Sequence, residues 1–200
     1  MTIFKYLGDA SEYYGTLFLD TDCAQLTVGT PGGFSCPGTI DIKNRAVLHV
    51  PADNTATIEN LVSSNGIVSI GADNVNSLYG KLFINNKINF NKEKISVYYP
   101  RVFRPEAENV ELIRLASGSS FSMAIEDFDI SGFSVEPERL AVCTNAWMPN
   151  ISFSVKEVED GSRVLSASHR KYVYIDAAGK EGSESIFLQG NVSSWSDDGD

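Results

Sequence analysis

Two short segments of the chain each carry a pair of aspartates separated by one residue: Asp20-Thr21-Asp22 and Asp127-Phe128-Asp129. In an extended chain, residues two apart lie on one face at about 7 Å from each other. Glycoside hydrolysis uses two carboxyl groups at roughly 5–10 Å, and calcium sites are built from carboxylate oxygens. Each pair is therefore a candidate catalytic or calcium-binding pair, although aspartates on a solvated strand or turn are the commoner case.

Other side chains with reactive chemistry are few. The chain has two histidines, His49 and His169, and three cysteines, Cys23, Cys36 and Cys143. No His/Cys pair has the spacing of zinc ligands, and the sequence contains no Gly-x-Ser-x-Gly elbow, Walker A loop or Gly-x-Gly-x-x-Gly motif. We therefore expect no catalytic residue, no metal and no cofactor.

Aromatic side chains offer a different kind of site. Trp147 lies between Asn145 and Asn150 in a turn-rich segment, and Tyr98-Tyr99 form a doublet at the end of an element. A loop tryptophan beside asparagines is suited to stacking on a sugar or anchoring a protein interface. The alternative is that Trp147 closes the end of a hydrophobic core, because large aromatic residues dominate cores.

The elements that position these residues are β-rich. In the first half, a glycine followed by a short alternating strand occurs four times, beginning at Gly15, Gly38, Gly66 and Gly80. Ten asparagines fall between residues 44 and 91, and asparagine tolerates the left-handed backbone of tight corners. Short strands separated by Asn/Gly corners predict a β-solenoid over about residues 15–98, and an antiparallel sandwich with short strands is the alternative.

This pattern resembles the parallel β-helices of bacterial surface passengers and phage tail proteins. The resemblance rests on the spacing of glycines and asparagines and on no specific motif. It implies a structural or binding role, in which exposed strand edges are often completed by oligomerisation.

The second half has a different pattern. A Pro-punctuated connection at 100–105 predicts a boundary between a short-strand domain over 1–99 and an antiparallel sandwich or jelly roll over 106–192, with an acidic tail over 193–200. The turn Glu159-Asp160-Gly161-Ser162 predicts a hairpin between strands at 151–156 and 163–168. A second hairpin is predicted from 171–176 and 184–188, and further strands at 121–125, 128–135 and 140–143. The segment 104–116 fits either a short helix or a strand.

Charge excludes some partners. The net charge is −10, and residues 1–100 hold 7 basic and 9 acidic side chains against 9 and 17 in residues 101–200. An acidic chain repels nucleic acid and anionic membranes, so we expect neither as a partner. With 42% hydrophobic residues the chain can bury a core, and its longest apolar runs are far below the ~18 residues of a membrane span.

The N-terminus lacks a basic region followed by an apolar stretch, so we expect cytoplasmic synthesis without a signal peptide and reduced cysteines rather than a Cys23–Cys36 disulfide.

Three functions follow as hypotheses. The first is a non-enzymatic structural or surface-recognition β protein, similar to phage and virion appendage proteins, that binds protein or glycan or forms a homo-oligomer and is assembled into a virion or particle. The second is an acidic inhibitor of a basic protein, of the immunity or anti-defence type. The third is a glycan-active enzyme that uses one of the aspartate pairs.

Overall fold

The structure is a computed structural model that describes residues 2–6, 9–22, 24–29, 33–73, 78–90, 94–99, 107–119, 121–131, 150–170, 172–175 and 186–189. Within these ranges the chain forms seventeen strands, one 3-10 helix and no α-helix. The predicted all-β class is therefore confirmed. The strands are β1 Thr2–Tyr6, β2 Thr16–Leu19, β3 Ala24–Val28, β4 Phe34–Lys43, β5 Val47–Val50, β6 Thr55–Ser64, β7 Ile67–Ile70, β8 Ala72–Asp73, β9 Leu78–Tyr79, β10 Lys81–Phe90, β11 Ile95–Tyr98, β12 Ala107–Leu115, β13 Phe128–Ser131, β14 Asn150–Glu157, β15 Arg163–Arg170, β16 Tyr172–Ile175 and β17 Ile186–Gln189, and the 3-10 helix is Ile125–Asp127.

The main body is a two-sheet parallel β-solenoid. Sheet A has the order β1-β3-β5-β7-β11-β13, and sheet B has the order β14-β15-β12-β10-β6-β4-β2. From β1 to β13 the chain alternates between the two sheets, apart from the small β8–β9 ladder, and all pairings within this part of both sheets are parallel. The solenoid-like prediction is therefore confirmed, and each successive pair of strands, one from each sheet, is called a rung below.

The hydrophobic core lies between the two sheets. Alternating strand residues point inward and stack on their register partners, as Leu48 on Val68 in sheet A and Ile40 on Leu61 in sheet B. All four of these side chains are at most 1% exposed. Rows of branched aliphatic side chains of this kind suit the pleated surface of a strand, and their burial is the main stabilising contribution of the solenoid.

The glycine repeat belongs to two different positions of the rung. Thr16 and Thr39, which follow Gly15 and Gly38, are register partners in sheet B. Gly80 likewise precedes a sheet B strand, β10. Gly66 instead precedes β7, which belongs to sheet A. The four glycine segments look alike in the sequence, but they do not mark equivalent strands, because each rung contains one strand from each sheet.

Asparagine corners carry the left-handed residues that the sequence predicts. Asn44 and Arg45, between β4 and β5, have φ values of 50° and 62°, and Asn65, between β6 and β7, has φ 57°. The two corners stack, because the Arg45 N–H donates to the Asn65 carbonyl at 2.7 Å. The corners thus keep successive rungs in register.

The solenoid continues past the Pro-punctuated connection at 100–105. Strand β12 pairs in parallel with β10, and β13 pairs in parallel with β11. The segment 104–116 therefore contains a strand rather than a helix. A register irregularity between Glu111 and Ile113 turns both Leu112 and Ile113 into the interior, which explains why the alternation was imperfect.

Both predicted hairpins are present. Strands β14 and β15 pair antiparallel across the turn at Gly161, which has φ 77°, and β15 also pairs antiparallel with β12, so this hairpin extends sheet B. Strands β16 and β17 form a separate antiparallel pair. The strand predicted at 121–125 is wrong: residues 121–124 have no regular structure and lead into the 3-10 helix. The strand predicted at 128–135 is observed over Phe128–Ser131 as β13, while its remainder and the strand predicted at 140–143 lie outside the described residues.

The segment 116–127 closes the C-terminal end of the core below the β14–β15 hairpin. Met123 is fully buried, its carbonyl accepts a hydrogen bond from Arg163 of β15 at 2.9 Å, and the 3-10 helix lies against β14. Tyr99 packs edge-to-face on Phe153 of β14 with ring centroids 5.7 Å apart. This end of the solenoid is therefore covered by its own chain.

Candidate functional site at the N-terminal rung

The opposite end of the solenoid is formed by β1 and β2, which with the residues between and directly after them (2–22) are called the N-terminal rung below. Within the described part of the chain, each of these strands is outermost in its sheet and pairs on one side only, β1 with β3 and β2 with β4. Outer strands present backbone N–H and C=O groups that can pair with another chain. The N-terminal rung therefore has two strand edges, one on β1 and one on β2, that pair with no other described strand.

The large exposed apolar side chains of the described residues are concentrated in this rung. They are Ile3, Phe4, Tyr6, Tyr13, Tyr14 and Phe18, with exposures from 37% to 77%. Phe4 and Tyr6 are in register with the core residues Leu26 and Val28, so they point to the interior, and among the described strands none packs over them beyond β1. A concentration of exposed apolar side chains in one part of a protein typically marks an interaction site.

A cavity of about 440 Å³ opens between β1 and β2. This volume is in the range of roughly 300–1,000 Å³ that is typical of binding pockets. Its buried lining residues are Ala10, Leu26, Phe34 and Cys36, and its more exposed lining residues are Tyr6, Asp9, Glu12, Tyr13 and Leu17. The cavity thus combines an apolar interior with carboxylates at its exposed side.

The loop between β1 and β2 is fixed by local hydrogen bonds. The Asp9 carboxylate accepts from the Ser11 N–H at 2.8 Å, and the Tyr13 N–H donates to the Ala10 carbonyl at 2.9 Å. The Tyr6 and Tyr13 hydroxyls donate to the carbonyls of Asp9 and Thr16, each at 3.0 Å. These bonds hold both tyrosine rings at the cavity, so its walls are largely preformed.

Loop and core are also joined through Cys36. Its thiol is free and donates to the Tyr13 carbonyl at 3.6 Å. Cys36 is therefore not paired with Cys23, in line with the expectation of reduced thiols at this position, while Cys23 and Cys143 lie outside the described residues. A buried thiol of this kind acts as a small hydrophobic side chain.

The electrostatics of the N-terminal rung are acidic. Between residues 2 and 22 the chain has four carboxylates, at Asp9, Glu12, Asp20 and Asp22, and one basic side chain, Lys5. The hydrogen bonds from Ser11 lower the pKa of Asp9, because they stabilise its charged form. The apolar surface is thus bordered by negative charge.

Phe18 is the outward-facing aromatic residue of β2. It is 62% exposed, and the Lys43 ammonium lies 5.5 Å from the centre of its ring. Lys43 is held there by a 2.9 Å ion pair with Asp41, and this hydrogen bond raises the pKa of Lys43. The lysine therefore stays charged against the ring in a cation–π contact.

The predicted carboxylate pairs are not presented on strand faces. Asp20 and Asp22 lie in the bend between β2 and β3, where Asp20 accepts a hydrogen bond from the Asn44 side chain. Asp127 ends the 3-10 helix and accepts from the Ala124 N–H at 2.7 Å, whereas Asp129 is exposed in β13. Phe128, between Asp127 and Asp129, is extended with φ −112° and ψ 136°, whereas Thr21, between Asp20 and Asp22, lies in a bend.

Only part of the predicted aromatic site lies within the described residues. Tyr99 is fully buried, so its assignment as a surface contact is wrong, and Tyr98 remains half-buried at the end of β11. Trp147 and Asn145 lie outside the described residues, and Asn150 begins β14 without a described side chain. The apolar residues of β1 and β2 were not singled out as a site from the sequence, although TIFKY and TLFL each contain three large apolar residues.

His49 belongs to an inner strand and is neither fully exposed nor fully buried. It lies half-buried in β5, an inner strand of sheet A, and its Nδ1 is 3.0 Å from the Ser69 hydroxyl on the neighbouring strand β7. Burial lowers its pKa, because desolvation disfavours the imidazolium form. No group of three or more metal-ligating side chains is found among the described residues.

Comparison of the chain with protein-family models, with curated proteins and with solved structures finds no match in any of the three. Among the described residues, none belongs to a helix of the length and apolar character that crossing a membrane requires. The fold and the N-terminal rung are therefore the basis for a functional assignment.

Proposed function

We propose that this chain is a non-enzymatic binding module that docks another macromolecule on the N-terminal rung of a β-solenoid. The observation that carries the proposal is the concentration of exposed apolar side chains, two strand edges and an apolar cavity at one end of the molecule. Each of these features is a known form of interaction surface, and they coincide here.

The predicted class of phage or virion appendage proteins fits this module. The support is the parallel solenoid itself, together with the open rung on which a particle protein would add. We propose cytoplasmic synthesis followed by assembly into a particle, with protein rather than glycan, nucleic acid or membrane as the partner. An antiparallel sandwich over 106–192 remains a proposal for the part of that range that lies beyond the solenoid and its hairpin.

A second candidate is the acidic inhibitor of a basic protein. It is supported by the four carboxylates of the N-terminal rung, which would steer a positively charged partner toward the apolar surface. The glycan-active enzyme has no comparable support, because none of the four aspartates lines the cavity of the N-terminal rung.

The test is a comparison of two double variants in the native host. Phe4→Ser/Phe18→Ser removes the two exposed phenylalanines of the rung, and Asn85→Ser/Asn89→Ser changes two exposed residues of β10 as a matched control. Affinity purification and quantitative mass spectrometry should recover a partner with wild type and with the control, and lose at least tenfold of it with Phe4→Ser/Phe18→Ser. Circular dichroism and urea unfolding verify that all three proteins are folded. A partner set that is the same for all three proteins contradicts the proposal.

A further inference from the structure

The edge of β2 is placed so that an added strand would reach the cavity. Leu17 and Leu19 are in register with the fully buried Ile40 and Ile42 and therefore point inward, whereas Phe18 points outward. Leu17 also lines the cavity. Because neighbouring strands place their side chains in common rows, a strand hydrogen-bonded to β2 would direct one side chain over Leu17 and into the cavity.

The cavity selects an apolar side chain. Its buried lining comes from Ala10, Leu26, Phe34 and Cys36, and within this group no ionised group is available to pair with a buried charge. A polar or charged side chain inserted there would lose its hydration without compensation. An aromatic or large aliphatic side chain would gain by burial against Phe34 and Leu26.

Carboxylates lie near both ends of β2, and the cation beside this strand, Lys43, is held in an ion pair with Asp41. Glu12 precedes the strand by four residues and lies at the cavity, and Asp20 directly follows the strand; both are exposed. β1, in contrast, carries Lys5 in its strand. An extended segment on β2 would therefore have a carboxylate near each of its ends, in whichever direction it runs.

We propose that the β2 edge binds an extended segment of a different protein by strand addition, with one large apolar side chain of that segment in the cavity and Lys or Arg near both of its ends. This inference rests on the proposed function and names the partner's chemistry. A small molecule would leave the strand edge unused. A second copy of this chain would bring Glu12 and Asp20 against the same carboxylates, which costs binding energy.

The probe is a short capped synthetic peptide with lysines at both ends and an alternating core of threonine, valine and one central phenylalanine. Two control peptides replace the lysines by glutamates or carry N-methyl groups on alternate core residues, which block strand pairing. Fluorescence anisotropy with the full chain at low salt should show saturable binding of the first peptide and at least tenfold weaker binding of both controls. Amide exchange at residues 16–19 should slow only with the first peptide. Equal binding of all three peptides, or no binding, overturns the proposal.

Two variants of the chain separate charge from fold. Glu12→Gln/Asp20→Asn should weaken binding of the lysine peptide several-fold at low salt and abolish most of its salt dependence. Asp129→Asn/Glu159→Gln removes the same number of exposed carboxylates at a distance from β2 and should leave binding unchanged. Equal effects of the two charge variants contradict the role of Glu12 and Asp20.

A third variant tests the cavity. Ala10→Met places a larger side chain in the cavity lining and should weaken binding of the lysine peptide, while the urea midpoint reports whether the fold is retained.

The two proposals fail in different ways. If the native partner is lost with Phe4→Ser/Phe18→Ser but retained fully with Glu12→Gln/Asp20→Asn, the rung is a docking site and the basic strand is wrong. If sedimentation shows that the wild type self-associates and that Phe4→Ser/Phe18→Ser does not, the occupant is a second copy and the inference is overturned. If Phe4→Ser/Phe18→Ser loses no partner, the proposed function is wrong, and the inference of strand addition loses the basis on which it rests.

Discussion

At the scale of single residues, Gly38 shows how closely the rungs approach each other. A Cβ built on Gly38 would lie 2.3 Å from the Gly15 carbonyl oxygen and 2.7 Å from that of Tyr13. Both contacts are backbone atoms, and the Thr39 N–H donates to the Gly15 carbonyl at 2.9 Å, so neither side can yield without loss of pairing. Position 38 is thus glycine because the backbone of residues 13–15 leaves no room for a side chain there.

We therefore expect Gly38→Ala to lower the free energy of unfolding by about 1–3 kcal/mol, the usual cost of overpacking. Urea unfolding followed by circular dichroism measures the change. Ser35→Ala, at an exposed position of the same strand, is the control and should stay within about 0.5 kcal/mol of wild type. If Gly38→Ala unfolds at the wild-type midpoint, the close approach of the two rungs is wrong.

His49 makes stability depend on pH. The desolvation that lowers its pKa in the folded chain is absent after unfolding, where an imidazole has a pKa of about 6.5. The unfolded chain therefore binds the proton at higher pH than the folded chain, and the free energy of unfolding falls as the pH falls through about 6.5. The loss levels off below the pKa of His49 in the folded state.

The measurement is a series of urea midpoints between about pH 7.5 and pH 5.5, above the range in which exposed carboxylates titrate. His49→Gln keeps a polar group within reach of Ser69 but cannot be protonated in this range. We expect its stability to decline less with acidification than that of wild type, while His169→Gln serves as the comparison for the other histidine. A slope that is the same in wild type and His49→Gln contradicts the assignment.

At the scale of elements, the β14–β15 hairpin belongs to the solenoid core. Leu165 of β15 is fully buried and is in register with Ile113 of β12, which is itself in register with Leu82 of β10. These three side chains form one continuous row across sheet B. The hairpin should therefore unfold together with the rungs on which it packs.

We expect Leu165→Ala and Ile58→Ala each to cost about 2–5 kcal/mol, as is usual for buried large-to-small changes, and to shift one common unfolding transition. Thermal unfolding followed by calorimetry and by amide exchange distinguishes one transition from two. Lys156→Ala, at an exposed position of β14, is the control. Two transitions, with Leu165→Ala moving only one of them, would instead support the predicted domain boundary at 100–105.

Local patterns in the sequence predicted individual strands and hairpins better than they predicted which strands pair with each other. The turn at Gly161 and the alternation on both sides of it specified the β14–β15 hairpin, because hairpin pairing depends on adjacent residues. Whether the edge of β15 pairs with β12 or the hairpin joins a second sheet depends on residues more than forty positions away. No local pattern encodes that choice. The same reason explains why Gly66 was grouped with the glycines that precede sheet B strands.

At the scale of the whole molecule, the solenoid was predictable and the exposed apolar surface of its N-terminal rung was not. Corner asparagines such as Asn44 and Asn65 mark a chain that turns at regular intervals. In contrast, Phe4 and Tyr6 have the residue types and alternation of core positions, and only the order of the described strands places them at the end of sheet A. A site made of core-like residues at the end of a fold leaves no chemical motif in the sequence.

The segment 116–127, packed below the hairpin, makes the two ends of the solenoid chemically different. A subunit can grow into a filament by head-to-tail contacts only if one end complements the other. Among the described residues, the other end is covered by the β14–β15 hairpin and the 3-10 helix, which differ from the acidic edge of β2. In the proposed strand addition, the two unlike ends favour one partner for each chain over growth into a filament.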